Sequence, residues 1–327
     1  MKKNNLDIMA LGRSILAKEA AAVIELEQTL DGSFVAACSS ICKDTVRQLV
    51  VTGLGKSGHI ARKIAATFAA TGTPAIFVHP SEAAHGDMGM IAKGDVLLVL
   101  SNSGNTPELQ PVMKYAQRLG VPIIGIASGR TSKVVQSADI ALILPDVKEA
   151  CPWNIAPTTS TTMQVALGDA LAITVMEMRG VTREDLRKLH PAGAIGLALT
   201  PVQEVMATDK DRLPLVSHQA NMPETISVMT LGCFGLAGVL DDAGRVIGVI
   251  TDGDLRRHFG TLETALAHEV MTRAARFISA DMLADEALTF LNDNKINAAF
   301  VVEDASAGPQ SPLGVIHIHD LLRLGLG

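Results

Sequence analysis

Hydrophobic and polar positions follow two different periods along the chain, and the change occurs between residues 30 and 48. Apolar side chains in residues 5–30 recur at helical spacing, which predicts one helix. Short β-branched runs then alternate with helical stretches. The predicted strands are 48–52, 75–78, 95–100, 122–126 and 140–144, and the predicted helices are 57–71, 107–119, 131–137 and about 159–179. This alternation indicates an α/β fold, a doubly wound parallel sheet with flavodoxin-like layering.

The C-terminal part of the chain is an internal repeat. Glu204–Met206 recurs as Glu269–Met271. Gly248–Leu255 recurs, with substitutions, as Gly314–Leu321. Two segments that repeat at nearly one period predict two copies of one supersecondary unit, which together form an α+β pair. The predicted domains are 1–196, 202–260 and 266–327.

Composition narrows the classes of partner. The formal net charge is -6, and no run of consecutive Lys or Arg marks a nucleic-acid or membrane surface. Aromatic residues make up only 3% of the chain, too few for platforms that stack bases or sugars. The four cysteines lack the spacing of a disulfide framework or a zinc site. No signal peptide or apolar run of membrane-spanning length is present, so we expect a cytoplasmic protein.

Two glycine- or hydroxyl-rich loops follow predicted strands. Gly53–Gly58 leads from a strand into a helix, with Lys56 at the junction, where an anion would be favoured. Its spacing matches neither the dinucleotide fingerprint nor a complete P-loop, so a purely structural turn is the alternative. Ser101–Thr106 supplies three hydroxyls after the strongest predicted strand, and we expect Thr106 to cap a helix that starts at Pro107. This second loop predicts a phosphate cradle, with an ordinary capped helix as the alternative.

Further motifs occur in a fixed order along the whole chain. They are Gly53–Gly58, His79–Asp87, Ser101–Gly104, Lys148–Pro152, Ala156–Thr162 and His190–Pro191. This order resembles the arabinose 5-phosphate isomerase family, which joins a sugar isomerase (SIS) domain to a pair of cystathionine-β-synthase (CBS) motifs. The resemblance implies reversible conversion of D-ribulose 5-phosphate to D-arabinose 5-phosphate, a precursor of Kdo in lipopolysaccharide or capsule. It also implies a homotetramer without a cofactor.

The resemblance assigns functional residues by type and position. Its catalytic residues correspond to Lys56, Glu108, Glu149 and His190, and its phosphate-binding residues to Ser57, Ser101, Asn102, Ser103 and Thr106. His85 corresponds to a histidine near the site that can bind substrate or inhibitory zinc, although catalysis in the family requires no metal. The alternative for His79, His85 and Asp87 is a metal cluster that catalysis needs.

The chemistry of aldose–ketose exchange calls for the same residue types. A proton moves between adjacent carbons through an enediol, which needs a base and a group that stabilises charge on the oxygens. We expect Glu149 to be the base, with a pKa raised by partial burial, and Lys56 to stabilise the oxygens. His190 would assist ring opening or proton shuttling, and Glu108 would orient one of these groups. Without the resemblance, Glu149 could be a solvated loop charge and His190 an interdomain packing residue.

Several features leave alternatives open. The Thr158–Thr162 run could be a cap, a substrate contact or a subunit contact. Ala192 and Leu197 replace a glycine and a basic residue of the family pattern, which leaves another ketose phosphate as an alternative substrate. His317 and His319 replace Thr251 and Gly253 of the first repeat, so the tail either binds a nucleotide, as such pairs commonly do, or has another role. A non-catalytic sensor of sugar phosphate and nucleotide is the alternative from a different functional class.

Overall fold

The computed structural model describes residues 7–191, 193–209 and 211–326, and the chain divides into two compact units between Leu186 and Arg187. Ala192, one of the departures noted in the sequence, lies outside the described residues. Within the described ranges, every helix is too short or too polar to cross a bilayer.

The first unit alternates strands and helices. Its helices are α1 (Ile8–Gln28), α2 (Gly32–Cys42), α3 (Gly55–Ala70), α4 (Pro80–Ala83), α5 (Leu109–Leu119), α6 (Lys133–Ser137) and α7 (Thr159–Met178). Its strands are β1 (Leu49–Gly53), β2 (Ala75–Val78), β3 (Val96–Leu100), β4 (Ile123–Ala127) and β5 (Ile140–Ile143). A short helix, α8 (Arg183–Leu189), runs across the division between the units.

All neighbouring strands of the first sheet are parallel, in the order β2-β1-β3-β4-β5. Alternate residues of each central strand belong to two separate cores. Val51 and Leu98 pack with residues of α1, α2, α3 and α7, whereas Val50 and Leu97 pack with residues of α5 and α6. Helices therefore cover both faces, which confirms the predicted doubly wound sheet.

Two features of this unit differ from the sequence prediction. The predicted helix 5–30 is followed by a second helix, α2. Asp31 is its N-cap, and the Asp31 carboxylate accepts the N–H of Ser33 at 2.8 Å. Residues 32–42 are mostly small or apolar and none of them is charged. The sequence therefore shows no helical alternation of polar and apolar positions there. The helix expected from Pro107 begins at Leu109, because the Thr106 side chain turns back to Ser101 and does not cap it.

The second unit holds both sequence repeats. Its helices are α9 (Ala194–Ala198), α10 (Met222–Gly232), α11 (Asp252–Arg257), α12 (Ala267–Val270), α13 (Ala284–Asp293) and α14 (Ile318–Arg323). Its strands are β6 (Leu215–Ser217), β7 (Leu236–Leu240), β8 (Val246–Thr251), β9 (Phe277–Ser279), β10 (Ala298–Val302) and β11 (Gly314–His317). Each repeat forms a three-stranded sheet with the same pairing, one parallel and one antiparallel. The expected α+β pair is confirmed, and β6 and β9 are strands that sequence analysis missed.

Candidate active site

The candidate site lies at the carboxyl edge of the first sheet. Strands β1 and β3 are neighbours, and their last residues, Gly53 and Leu100, pair in register. The chain leaves β1 towards β2 on one side, whereas β3 lies on the other side, so this pair of strands is the topological switch point of the sheet. Ligands of open α/β sheets bind in the crevice at such a point. The fold thus brings the two predicted loops together there.

The glycine turn packs α3 tightly against the end of β1. A Cβ atom on Gly58 would lie 2.6 Å from the carbonyl oxygen of Gly53, so a side chain at residue 58 would push the helix away. Lys56 is an exposed residue in the first turn of α3, and Ser57 is half-buried beside it. The Lys56 ammonium group and the helix N-terminus therefore both favour an anion at this edge.

The hydroxyl loop is held by its own side chains. Ser101 is 3% exposed, and its Oγ lies 2.8 Å from Thr106 Oγ1 and accepts the N–H of Gly104 at 3.0 Å. Gly104 has a φ of +67°, and a Cβ atom there would meet Ser132 Oγ at 2.0 Å. Ser101 and Thr106 thus shape the loop, whereas Ser103 is exposed and its hydroxyl accepts the N–H of Asn105 at 3.3 Å.

Two more predicted residues lie on or next to this loop. Asn102 is half-buried, and its carbonyl oxygen accepts the N–H of Ser128 at 2.9 Å and its hydroxyl at 2.8 Å. Glu108 is exposed at the N-cap position of α5, without a side-chain cap hydrogen bond. Glu108 thus lies at the start of the helix that follows the hydroxyl loop, at the same edge of the sheet, and its carboxylate is not used as a cap.

Glu149 lies in the loop between β5 and α7, and its carboxylate binds the start of α7. Oε2 accepts the N–H of Thr158 at 2.8 Å, its hydroxyl at 3.1 Å and the N–H of Ser160 at 3.2 Å. Oε1 accepts the hydroxyl of Ser160. The loop is closed from the other side as well, since the Glu149 N–H donates to Asn154 Oδ1 at 2.7 Å. The Thr158–Thr162 run, for which the sequence allows several roles, supplies two partners of this carboxylate, Thr158 and Ser160.

The expectation that burial raises the pKa of Glu149 is wrong in its net direction. Burial does raise the pKa, but the hydrogen bonds from Ser160 and Thr158 stabilise the charged form and together lower the pKa below its usual range. A carboxylate that accepts backbone N–H groups at a helix N-terminus is stabilised as an anion. Glu149 is therefore ionised at neutral pH.

Parallel packing of α3 and α7 relates Glu149 to Lys56. Gly168 lies against Ile64, and beyond the C-terminal ends of the two helices Gly72 lies against Val181. Both helices therefore run in the same direction, away from the carboxyl edge. Lys56 lies eight residues before Ile64 in α3, and Ser160 lies eight residues before Gly168 in α7. The partner of Glu149 consequently lies at the same height along this helix pair as the lysine of the glycine turn.

A groove of about 570 Å³ lies between α1 and the Glu149 loop. Its charged lining includes Lys18 and Glu25 of α1, together with Lys148 and Glu149 of the loop. Trp153, at the tip of the same loop, is 80% exposed. Glu149 is thus reachable from solvent although its oxygens are hydrogen-bonded.

The remaining predicted residues lie on other segments of the chain. His79 caps α4 by accepting the N–H of Ser81 at 3.3 Å, and His85 is exposed just after that helix. In the described part of the chain, His, Cys, Asp and Glu side chains do not gather in groups of three that could hold a metal ion. His190 belongs to the second unit, where its N–H donates to the carbonyl of Arg187 at 3.1 Å.

Comparison with known proteins covers both units. The SIS domain family matches residues 45–174, and the CBS domain family matches residues 202–260 and 267–327. The chain is 42% identical over 326 residues to arabinose 5-phosphate isomerase KdsD of Pseudomonas aeruginosa, covering 98% of both chains. It is 40% identical over 327 residues to the protein of the same name from Escherichia coli K12, covering 98% of this chain and 97% of that one.

Two solved structures resemble the first unit. The structure of an E. coli CFT073 protein in complex with arabinose 5-phosphate aligns with a TM-score of 0.55 and 37% identity, over 57% of this chain and 100% of that one. A putative phosphosugar isomerase involved in capsule formation from Bacteroides fragilis aligns with a TM-score of 0.54 and 35% identity, over 56% of this chain and 97% of that one.

Proposed function

The chain belongs to the arabinose 5-phosphate isomerase family, and we propose that it interconverts D-ribulose 5-phosphate and D-arabinose 5-phosphate through an enediol. The observation that carries this proposal is that the hydroxyl loop, Lys56 and Glu108 follow the paired ends of β1 and β3, with the Glu149 loop after β5 at the same edge of the sheet. Relatives that share at least 40% identity over nearly the whole chain carry this activity in their names.

The phosphate group of the sugar would bind at the hydroxyl loop and the start of α3. Ser57, Asn102 and Ser103 would contact its oxygens, and Ser101 and Thr106 would hold the loop in the shape that receives it. Lys56 would offset negative charge on the reacting oxygens of the sugar. Placing the phosphate at the switch point lets the binding energy of a non-reacting group orient the carbons that react.

Proton transfer requires a base that is ionised before it acts. Glu149 meets this requirement, because its pKa is lowered by hydrogen bonds that outweigh the effect of its burial. It would take a proton from C1 of the ketose while O2 gains one, which gives the enediol. A proton delivered to C2 and the loss of the O1 proton then give the aldose. The Ser160 and Thr158 hydrogen bonds would loosen as the carboxylate takes the proton.

The other two catalytic residues would act beside this step. His190 would assist ring opening or relay protons, and Glu108 would orient Lys56 or the histidine. Turnover of Glu149→Gln and His190→Gln separates these roles. Loss of deuterium exchange at C2 in the Glu149 variant, with exchange retained in the His190 variant, is the expected result. Near-wild-type turnover of the Glu149 variant would remove it as the base.

The activity itself is tested by an NMR time course with ribulose 5-phosphate in D₂O, using protein treated with EDTA. We expect arabinose 5-phosphate carrying deuterium at C2, without added metal or nucleotide. Binding of the sugar phosphate without turnover would favour another ketose phosphate as substrate, or the non-catalytic sensor.

We also infer the setting in which the enzyme works. The resemblance to its family supports a cytoplasmic homotetramer that supplies arabinose 5-phosphate for Kdo. The cysteines agree with a reducing compartment, since Cys38, Cys42, Cys151 and Cys233 are all free. Sedimentation of the purified protein tests the tetramer.

The CBS pair would bind a nucleotide in the clefts beside its two repeats. Thr251 and Asp254 form a capping box at the start of α11, and both line a cleft of about 620 Å³. Equilibrium dialysis with ADP tests this proposal.

A further inference from the structure

The second unit contains two clefts that occupy equivalent places in the two repeats. The first cleft, of about 620 Å³, is lined by Thr251 and Asp254 at the start of α11. The second cleft, of about 550 Å³, is lined by His317, His319 and Asp320 at the start of α14. His317 lines both clefts and is therefore part of the wall between them.

The first cleft carries an excess of fixed positive charge. The charged side chains among its described lining residues are Arg256, Arg257, Arg276, Lys295, Asp252 and Asp254. Asp254 is 2% exposed and already accepts hydrogen bonds from Arg257, Thr251 and Thr272. Four cations against two carboxylates leave this cleft positive at any pH near neutrality. Such a cleft favours a polyanion without any change in protonation.

Among the described residues that line the second cleft, the fixed charges balance at neutral pH. They are Arg212 and Arg323 against Asp209 and Asp320. Asp320 lies 3.7 Å from Arg323 and accepts the N–H of His317 at 3.2 Å. The Cys233 thiol donates to the carbonyl of Thr230, 3.2 Å away. Among the described lining residues of this cleft, His317 and His319 are the side chains of the type that changes charge between about pH 5 and pH 8.

The geometry of His317 is that of a neutral imidazole. Nδ1 of His317 accepts the N–H of His319 at 3.1 Å, which fixes the start of α14, and the two ring centroids are 4.7 Å apart. Thr251 fills the place of His317 in the first repeat and caps α11 with its hydroxyl. Burial, followed by the neighbouring His319, lowers the pKa of His317, whereas Asp320 acts in the opposite direction.

We propose that the second cleft is a proton-coupled anion site, which binds the phosphates of a nucleotide as His317 takes up a proton. The first cleft binds the same class of ligand independently of pH. This inference rests on the proposal that the CBS pair takes a nucleotide, and it does not depend on the isomerase reaction.

The coupling follows from the hydrogen bond at Nδ1. A protonated His317 has no acceptor nitrogen, so it loses the cap and places positive charge 4.7 Å from the His319 ring. A bound phosphate offsets both effects, because it supplies negative charge and acceptor oxygens. Anion binding must then raise proton uptake, and a lower pH must raise affinity by the same linkage.

The test is equilibrium dialysis of the whole protein with ADP at about pH 8 and about pH 6, the range in which histidine titrates. Excess arabinose 5-phosphate occupies the phosphate loop of the first unit. We expect one ADP per chain at the higher pH and a second at the lower, with the second affinity rising about tenfold per pH unit for one linked proton. Calorimetry in buffers of different ionisation enthalpy should show proton uptake for the second site.

Two variants assign the sites. His317→Thr with His319→Gly restores the residues of the first repeat, including a side chain able to cap α14, and should abolish the pH dependence. Arg256→Ala with Arg276→Ala should weaken the pH-independent site and leave the other.

Three outcomes would overturn the inference. They are equal affinity at both pH values, pH dependence that persists in the histidine variant, and pH dependence that disappears with the arginines. If ADP binds at neither site at either pH value, the nucleotide proposal is overturned as well. The isomerase proposal is not affected by that result, because turnover of ribulose 5-phosphate is measured separately.

Discussion

Ser160 holds the Glu149 carboxylate with two groups at once. Its backbone N–H lies 3.2 Å from Oε2, and its hydroxyl donates to Oε1. The first turn of α7 thereby keeps Glu149 ionised, against the effect of burial on its pKa. The helix that follows Glu149 thus holds the proposed base in position and keeps its carboxylate ionised.

Replacing Ser160 should change how the enzyme responds to acid. Ser160→Ala removes one of the hydrogen bonds that lower the pKa of Glu149, so that pKa rises. Protonation then begins at higher pH, and the acid limb of the kcat/KM profile should move to higher pH. Thr161→Ala is the control, since the Thr161 hydroxyl donates to the Thr158 carbonyl. An acid limb that stays in place would show that ionisation of Glu149 does not limit the reaction.

Lys56 should affect the chemical step more than folding. Lys56→Gln keeps most of the side-chain volume but removes the charge, and we expect kcat to fall by about 10²–10³-fold if the ammonium group stabilises the reacting oxygens. Lys63 provides a matched control on the same helix, where it pairs with Asp169. Lys63→Gln should change kcat less than about twofold, because exposed ion pairs contribute little. A rise in KM with unchanged kcat in the Lys56 variant would instead indicate a role in binding alone.

Gly104 tests the shape of the hydroxyl loop. Gly104→Ala requires a φ of +67° and brings Cβ within 2.0 Å of Ser132 Oγ, so the loop must shift. Gly120→Ala requires a φ of +71° but meets no atom within 4 Å. Both variants should lose about 1 kcal/mol to backbone strain, whereas only Gly104→Ala should raise KM about tenfold or more. Equal KM values for the Gly104 and Gly120 variants would show that phosphate binding does not depend on the geometry of this loop.

Asp95 should contribute to stability without contributing to turnover. Its side chain is fully buried and accepts two hydrogen bonds from Arg47, at 2.7 and 2.8 Å, next to the amino end of β3. Burial raises the pKa of Asp95, but the hydrogen bonds from Arg47 and the Ala92 N–H lower it by more. The net effect is a pKa below the usual range. Its stabilising effect is therefore present above the unfolded pKa of about 4 and is lost as pH falls through the folded value.

Asp95→Ala should destabilise the first unit by about 1–2 kcal/mol at neutral pH, because the Ala92 N–H and the half-exposed Arg47 lose their acceptor. The difference from wild type should shrink in acid. Urea unfolding at both pH values measures it, and kcat at neutral pH serves as the control. A loss of kcat in the folded variant would contradict a purely structural role.

Metal removal should leave the reaction intact. Protein treated with EDTA is expected to keep its full kcat, because an enediol mechanism with Lys56 and Glu149 needs no Lewis acid. Added zinc should inhibit, and His85→Ala should weaken that inhibition relative to its own uninhibited rate. Restoration of activity by zinc would contradict the proposal.

Most of the first unit follows from local sequence patterns. The central strands β1, β3 and β4 are almost entirely apolar and fully buried, as parallel sheets require when both of their faces are covered. Both halves of the second unit are predictable as well, because similar segments recur in the sequence at nearly one period. The three-residue strands Leu215–Ser217 and Phe277–Ser279 were missed, because so short a run has no period of its own.

The site was predicted in composition but not in its internal bonds. The positions of Lys56, Glu108 and Glu149 at one edge follow from strand order, although their catalytic roles stay predictions. The direction of the Glu149 pKa depends on where Ser160 and Thr158 point, which is set by the fold of an irregular loop. Thr106 likewise bonds to Ser101 across the loop, a contact that competes with the capping its residue type favours.

The exposed indole of Trp153 makes the protein its own optical probe. It is the only tryptophan in the chain, is 80% exposed, and sits four residues after Glu149. Its emission maximum and its quenching by iodide therefore report on that one loop, without a label and without a background from other indoles. A stopped-flow experiment can thus time a change in the environment of the Glu149 loop against the appearance of product.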